Sequence, residues 1–195
     1  MSSVALFGTS ADPPTCGHQA LLEQLLQHHD RVVTWASDNP GKAHSLALAD
    51  RCKLLQTLVT TIDSPRLTLM QELSSPWAVT TVERAQSIWP DEALHFVIGS
   101  DLVGQILRWK DIGTLLKRCQ LVVVPRQGWP LTPEDLTPLR NQGAALEVLT
   151  LPIPGTASSS ARRDGDASQI PAVLRPLLQQ HGFYGFNASP DPPAP

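Results

Sequence analysis

The 195-residue chain is short of charge, of cysteine and of long apolar runs, and each shortage excludes something. Charged residues make up only 17% and the formal net charge is −3, so there is neither a basic field for nucleic acid nor an acidic, solvating tail. An anionic ligand must then be held by a local cluster of positive groups. Cys16, Cys52 and Cys119 are odd in number, widely spaced and lack a Cys-x-x-Cys pair. That favours reduced thiols in a cytoplasm over a disulfide framework. No apolar run approaches the roughly 20 residues of a membrane span, and no charged-then-apolar leader opens the chain, so a soluble, cytoplasmic protein is expected. His28, His29, His44, His95 and His181 show no metal-ligand spacing, and Cys16-x-His18 lacks further partners, so no metal-ligating set is expected. Gly41-Lys42 is not a phosphate-binding P-loop, because Ala36 replaces the first glycine and Ala43 the hydroxyl residue; there is no Gly-x-Gly-x-x-Gly and no internal repeat.

What is present is an alternation of β-branched apolar runs with helical spacing. Strands are expected at 4–7, 31–36, 66–70, 94–98, 119–124 and 145–151, and helices after residue 15 and over 43–62, 79–88, 102–107, 112–117 and 170–181. Strand, loop, helix in repetition is the signature of an α/β fold with a doubly wound, mostly parallel sheet. The length suits one domain, over residues 1–186. Residues 187–195 carry four prolines in nine positions and no apolar pattern, and are expected to be disordered.

The strand at 4–7 runs into Gly8, where a turn is expected. A small hydroxyl-bearing loop, Pro13-Pro14 and a potential N-cap, Thr15, follow, and His18 falls in the first turn of the helix. A helix N-terminus at the end of a buried strand is suited to phosphate, and a histidine at its mouth can donate hydrogen bonds to phosphate oxygens. The same residues also serve a plain turn and an exposed helix position. A second candidate, Thr156-Ala-Ser-Ser-Ser-Ala-Arg-Arg163, opens a helix with hydroxyls and brings two arginines one turn inside it, although serines commonly do no more than cap. Lys42 and Arg51 follow the second strand, and Asp101 ends the fourth.

Gly8-Thr-Ser-Ala-Asp-Pro-Pro-Thr-Cys-Gly-His18 resembles the signature loop of the nucleotidyltransferase superfamily, Gly-Gly-(Thr/Ser)-Phe-Asp-Pro-x-(His/Thr)-x-Gly-His. It departs from that loop at Thr9 and Ala11, and Thr15 stands where the bacterial nicotinate-nucleotide adenylyltransferases usually carry a histidine. Residues 156–163 are similar to that family's Ile-Ser-Ser-Thr-x-Ile-Arg motif, with Arg163 matching the arginine and Arg162 replacing an apolar residue. Between them, Trp77-Ala-Val-Thr-Thr-Val82 (with Thr80 where Asp is usual), Phe96-Val-Ile-Gly-Ser-Asp101, Arg108-Trp-Lys-Asp111 and Val124-Pro-Arg-Gln-Gly128 resemble the family's middle motifs in order. Ile170-Pro-Ala-Val173 and His181-Gly-Phe-Tyr184 resemble its terminal helix and exit.

The resemblance implies a Rossmann-like sheet and adenylyl transfer from ATP, with Mg²⁺, to nicotinate mononucleotide. It implies His18, Thr15 and Arg163 as catalytic residues. Gly8, Thr9, Ser10, Gly17, His18, Lys42, Gly99, Asp101, Ser159, Ser160 and Arg163 would bind ATP, and Thr81, Trp109 and Arg126 the mononucleotide. Nicotinamide mononucleotide or phosphopantetheine as acceptor, or a non-catalytic nucleotide-binding regulator, are the alternatives. The phosphopantetheine enzymes are shorter and lack the Trp-Lys-Asp stretch. No membrane or nucleic-acid partner is implied, and self-association stays open.

Overall fold

The first strand of the computed structural model, β1 (Ser3–Thr9), alternates its side chains between two cores, and the whole architecture follows from that alternation. The structure describes residues 2–39, 41–155 and 158–186. In chain order β1 is followed by α1 (Cys16–His28), β2 (Arg31–Ala36), α2 (Leu48–Ile62), β3 (Leu67–Leu69), α3 (Ala78–Ile88) and β4 (Ala93–Gly99). The short helices α4 (Val103–Ile106) and α5 (Ile112–Arg118) lead to β5 (Gln120–Val124), and then come α6 (Pro133–Asn141), β6 (Leu146–Val148), α7 (Ser158–Asp164) and α8 (Arg175–His181). Among the described residues six strands form one sheet, all pairs parallel, in the order β3-β2-β1-β4-β5-β6.

Parallel strands covered on both faces read as continuous apolar runs, as Leu121 to Val124 do. Val4, Leu6, Val33, Phe96 and Val123 point to one face, where α3 to α6 supply Val82, Ile106, Leu115 and Leu139. Ala5, Phe7, Val32, Val97 and Val122 point to the other, where α1 and α2 supply Leu22, Leu25, Leu55 and Leu58. A third cluster, Leu54 with Ala161, Ile170, Leu174 and Leu178, fastens the C-terminal segment to α2 and α7.

Four expectations need correction. β1 does not stop at Gly8 but continues to Thr9, and Gly8 is required because a Cβ there would lie 2.6 Å from the ring of Trp35, its partner across the sheet. Residues 43–47 are loop rather than the start of α2, because the Ser45 and Leu46 amides donate to the Asp12 carboxylate at 2.7 and 3.3 Å. The helix expected over 170–181 is α only from Arg175, a 3₁₀ turn at Ala172–Leu174 preceding it. Helix α6 had no counterpart in the expected elements, although Thr132 and Asp135 form a capping box with Pro133 at the start. Pro138 inside it breaks the periodic pattern. The expected disorder of 187–195 and the opening Thr156-Ala157 of the hydroxyl segment lie outside the described residues.

Candidate active site

The strand order reverses between β1 and β4, where successive strands stop being added on one side of β1 and start on the other, and in such sheets ligands bind beyond the carboxyl ends of the strands at that point. Thr9 and Gly99 end those two strands, whose pairing runs as far as Leu6 and Phe96, and α1 begins after a six-residue loop that follows β1.

Thr15 caps α1 and is fully buried. Its amide donates to Nδ1 of His18 at 3.0 Å, and its hydroxyl lies 2.8 Å from the same nitrogen. Because Nδ1 accepts the amide proton, the ring carries its own N–H on Nε2. Burial, then the positive charges of Arg126 and Lys42, push the His18 pKa down to about 4. At neutral pH His18 is therefore an uncharged ring of fixed tautomer, a hydrogen-bond donor set among cations. That arrangement brings together three residues that lie far apart in sequence.

Arg126, half exposed, pairs with Asp101 at 3.0 Å. The pair lies across Gly99, where a Cβ would strike both the Asp101 carboxylate and Cδ of Arg126. Ser100 steadies it: its hydroxyl accepts the Arg126 amide at 2.9 Å and donates to the Trp129 carbonyl at 2.7 Å. The second carboxylate oxygen of Asp101 is buried with no hydrogen-bond partner among the described residues, which leaves it ready to accept from a ligand hydroxyl.

Lys42 is exposed, whereas Arg51 is not a ligand group at all. Its side chain is 1% exposed and donates to the carbonyls of Leu46, Ser10 and Ser37 at 3.2, 2.7 and 2.8 Å. Thr9 spends its hydroxyl on the amide of Ala11 at 3.3 Å, Ala11 being a buried residue at φ 48°. Gly17 is buried in the first turn of α1.

Ser159 and Arg163 line a cleft of about 490 Å³ with Ser45, Leu46, Arg162 and Tyr184, and Ser160 follows in the same turn of α7. Ser158 ties that turn to the first loop by donating to the Pro13 carbonyl at 2.8 Å. On the far side of the site, Trp109 sets its edge on Phe96 with centroids 6.3 Å apart. Thr81 is buried and has both donors committed, its hydroxyl to Leu73 at 2.9 Å and its amide to Trp77 at 3.2 Å. The exposed group beside it is Trp77, over which Lys110 sits at 4.8 Å. Sequence reasoning assigned no role to Asp12 or Tyr184 and took Arg162 only as a second phosphate donor beside Arg163, whereas the three meet at one point. Asp12 and Tyr184 stood inside recognised motifs, but nothing in the local pattern paired residues so far apart.

Among the described residues no group of three or more His, Cys, Asp or Glu side chains converges to cage a metal ion. No described helix is long and apolar enough to cross a membrane.

A family model described as cytidylyltransferase-like matches residues 6–164, so fold and site together define a nucleotidyltransferase. A Synechocystis protein named probable nicotinate-nucleotide adenylyltransferase is 36% identical, over 93% of this chain and 98% of its own. A Thermus thermophilus protein of the same name is 29% identical over the same shares. The chain belongs to the nicotinate-nucleotide adenylyltransferase family. Among solved structures, the Plasmodium falciparum nicotinic acid mononucleotide adenylyltransferase complexed with NaAD superposes with a TM-score of 0.79 at 16% identity, covering 96% of this chain and 99% of that one. At that identity the likeness speaks for the fold.

Proposed function

We propose that the protein transfers the adenylyl group of ATP to nicotinate mononucleotide, giving deamido-NAD and pyrophosphate, a step of NAD biosynthesis. The observation that carries the chemistry is the neutral His18, whose Nδ1 is held by the Thr15 amide so that Nε2 carries the proton, with the charges of Arg126 and Lys42 nearby. An oxygen of the mononucleotide 5′-phosphate attacks the α-phosphorus of ATP; one P–O bond forms, the bond to the β-phosphate breaks, and pyrophosphate leaves with the electron pair. The attacking phosphate is already an anion at pH 7, so the protein needs no nucleophile of its own. Its work is alignment and stabilisation of the charge on the transferring group.

His18 donates to that group, Lys42 offsets phosphate charge, and Arg163 with Ser159 and Ser160 holds the β- and γ-phosphates from the opposite side. Asp101 accepts from a ribose hydroxyl, and Arg126 and Trp109 bound the mononucleotide side. Thr81 supports that wall from within, since its hydroxyl is occupied. Mg²⁺ would enter as a component of the ATP complex and would offset the charge of the phosphates. The free thiols Cys16, Cys52 and Cys119 fit a reducing cytoplasm.

The test is pyrophosphate release from ATP and Mg²⁺ with nicotinate mononucleotide, nicotinamide mononucleotide and phosphopantetheine offered separately. Turnover with the first, and much weaker turnover with the others, is expected. Preference for another acceptor would reassign the substrate, and ATP binding without turnover on any of them would make the protein a nucleotide-binding regulator.

A further inference from the structure

A buried carboxylate joins every segment that supplies the phosphate side of the site. Asp12 is 2% exposed. It accepts the amides of Ser45 and Leu46 at 2.7 and 3.3 Å and the hydroxyl of Tyr184 at 2.7 Å, and Nη1 of Arg162 stands 3.6 Å away. Arg162 donates as well to the Asp12 carbonyl, and His44 lies 3.9 Å from the carboxylate. Four pieces of chain are tied there: the loop after β1 that leads to Thr15 and His18, the 37–47 loop that carries Lys42, helix α7 with Ser159, Ser160 and Arg163, and the C-terminal turn.

The fourth piece comes from the far end of the chain and is built to reach this point. Tyr184 sits at φ 56°, directly before Gly185 at φ 75° and two residues after Gly182 at φ 60°, a left-handed conformation that a tyrosine adopts only against a cost. Its ring packs on the third apolar cluster, and its hydroxyl ends on Asp12. Burial and the adjoining carboxylate raise the phenol pKa well above its ordinary value, so it remains a donor at every working pH. Without that hydroxyl the Asp12 oxygen that accepts it would keep only the longer bond, 3.3 Å, from the Leu46 amide.

We infer that Tyr184 is a positioning residue for adenylyl transfer: by holding the Asp12 carboxylate it sets the relative placement of the His18, Lys42 and Arg163 segments, so the C-terminal turn tunes the affinity for the ATP phosphates through that carboxylate. The mononucleotide side, built on α3, Trp109 and Arg126, shares none of these ties. The inference rests on the proposed adenylyl transfer for its ligand.

The experiment is calorimetric titration of the full chain with Mg²⁺-ATP and, separately, with nicotinate mononucleotide. Wild type, Tyr184→Phe, Asp12→Asn and the double variant are compared, with pyrophosphate release measured on each. Tyr184→Phe keeps the ring in its cluster and removes only the hydroxyl. The expected result is an ATP dissociation constant raised about tenfold, the scale of one hydrogen bond to a charged group, with mononucleotide affinity held within about twofold. Because Tyr184 acts through Asp12, the double variant should bind ATP no worse than Asp12→Asn. Unchanged ATP affinity in Tyr184→Phe, equal loss for both ligands, or fully additive losses would overturn the inference while leaving a wild type that turns over. A wild type that binds no ATP would overturn it together with the functional reading.

Discussion

Gly8 and Trp35 face each other across β1 and β2, and the indole occupies the space that a side chain on residue 8 would need. Gly8→Ala should therefore cost about 1–3 kcal/mol, the range for overpacking a filled core. In a Trp35→Leu background the added methyl should cost little, as chemical denaturation of the four chains would show. An equal cost in both backgrounds would remove the indole from the explanation. At this scale the sequence was informative about which residues matter and less so about why. Gly8 was legible as a position where a Cβ is unwelcome, but the reason lay on the neighbouring strand. His18 was legible as a donor at a helix mouth, whereas the Thr15 amide that fixes its tautomer became visible only with the capping geometry. Arg51 was legible as a basic residue after the second strand but not as a buried staple, because loose exposed arginine is the common case and nothing local announces three carbonyls waiting for one guanidinium.

Helix α2 shows what that staple does for an element. Arg51 stands in its first turn, and its guanidinium binds the Ser10 carbonyl of the first loop and the Ser37 carbonyl at the end of β2, with Asp38 3.5 Å away. Replacing it with methionine keeps the volume and leaves buried carbonyls without donors, each a desolvation penalty of about 1–3 kcal/mol. Arg51→Met should lower the unfolding free energy by about 3 kcal/mol or more and weaken ATP binding, because the loops that bear Thr15 and Lys42 lose their tie. A variant as stable as the parent would show that water satisfies those carbonyls. The same tertiary ties account for the element boundaries that local pattern missed. Residues 43–47 have helical composition, yet two of their amides bond a carboxylate in another loop, and a window along the chain cannot contain both partners. The major strands, by contrast, were plain, since an apolar β-branched run buried on both sides is a local property.

For the whole molecule, the strand order and the switch point between β1 and β4 place the site, and the opposite end of the sheet sets its response to acid. There His29, 6% exposed, meets His95 edge to face with centroids 4.8 Å apart, and neither ring nitrogen of His29 has a hydrogen-bond partner among the described residues. Burial first, then the charges of His95 and His28, hold the His29 pKa at about 4 against the opposing pull of Asp30; burial also lowers His95, against Glu147. With the folded pKa below the unfolded value of 6.5, the unfolded chain binds more protons between these limits. Stability is thus unaffected above pH 7 and declines as pH falls from 6.5 towards 4, by about 3 kcal/mol from His29. His29→Phe should flatten that decline relative to wild type in pH-dependent thermal unfolding, and an unchanged profile would assign the acid sensitivity elsewhere. The parallel α/β class was legible from strand and helix alternation, but the histidine pair was not, because its members come from the end of α1 and the start of β4. The central claim concerns the other end of the sheet, where an uncharged His18 stabilises the transferring adenylyl phosphate. The measurement that tests it most directly is kcat for pyrophosphate release at saturating ATP and nicotinate mononucleotide, for His18→Ala against wild type, both shown folded by their thermal transitions. The expected result is a fall of about 10²-fold or more; an undiminished kcat would contradict it.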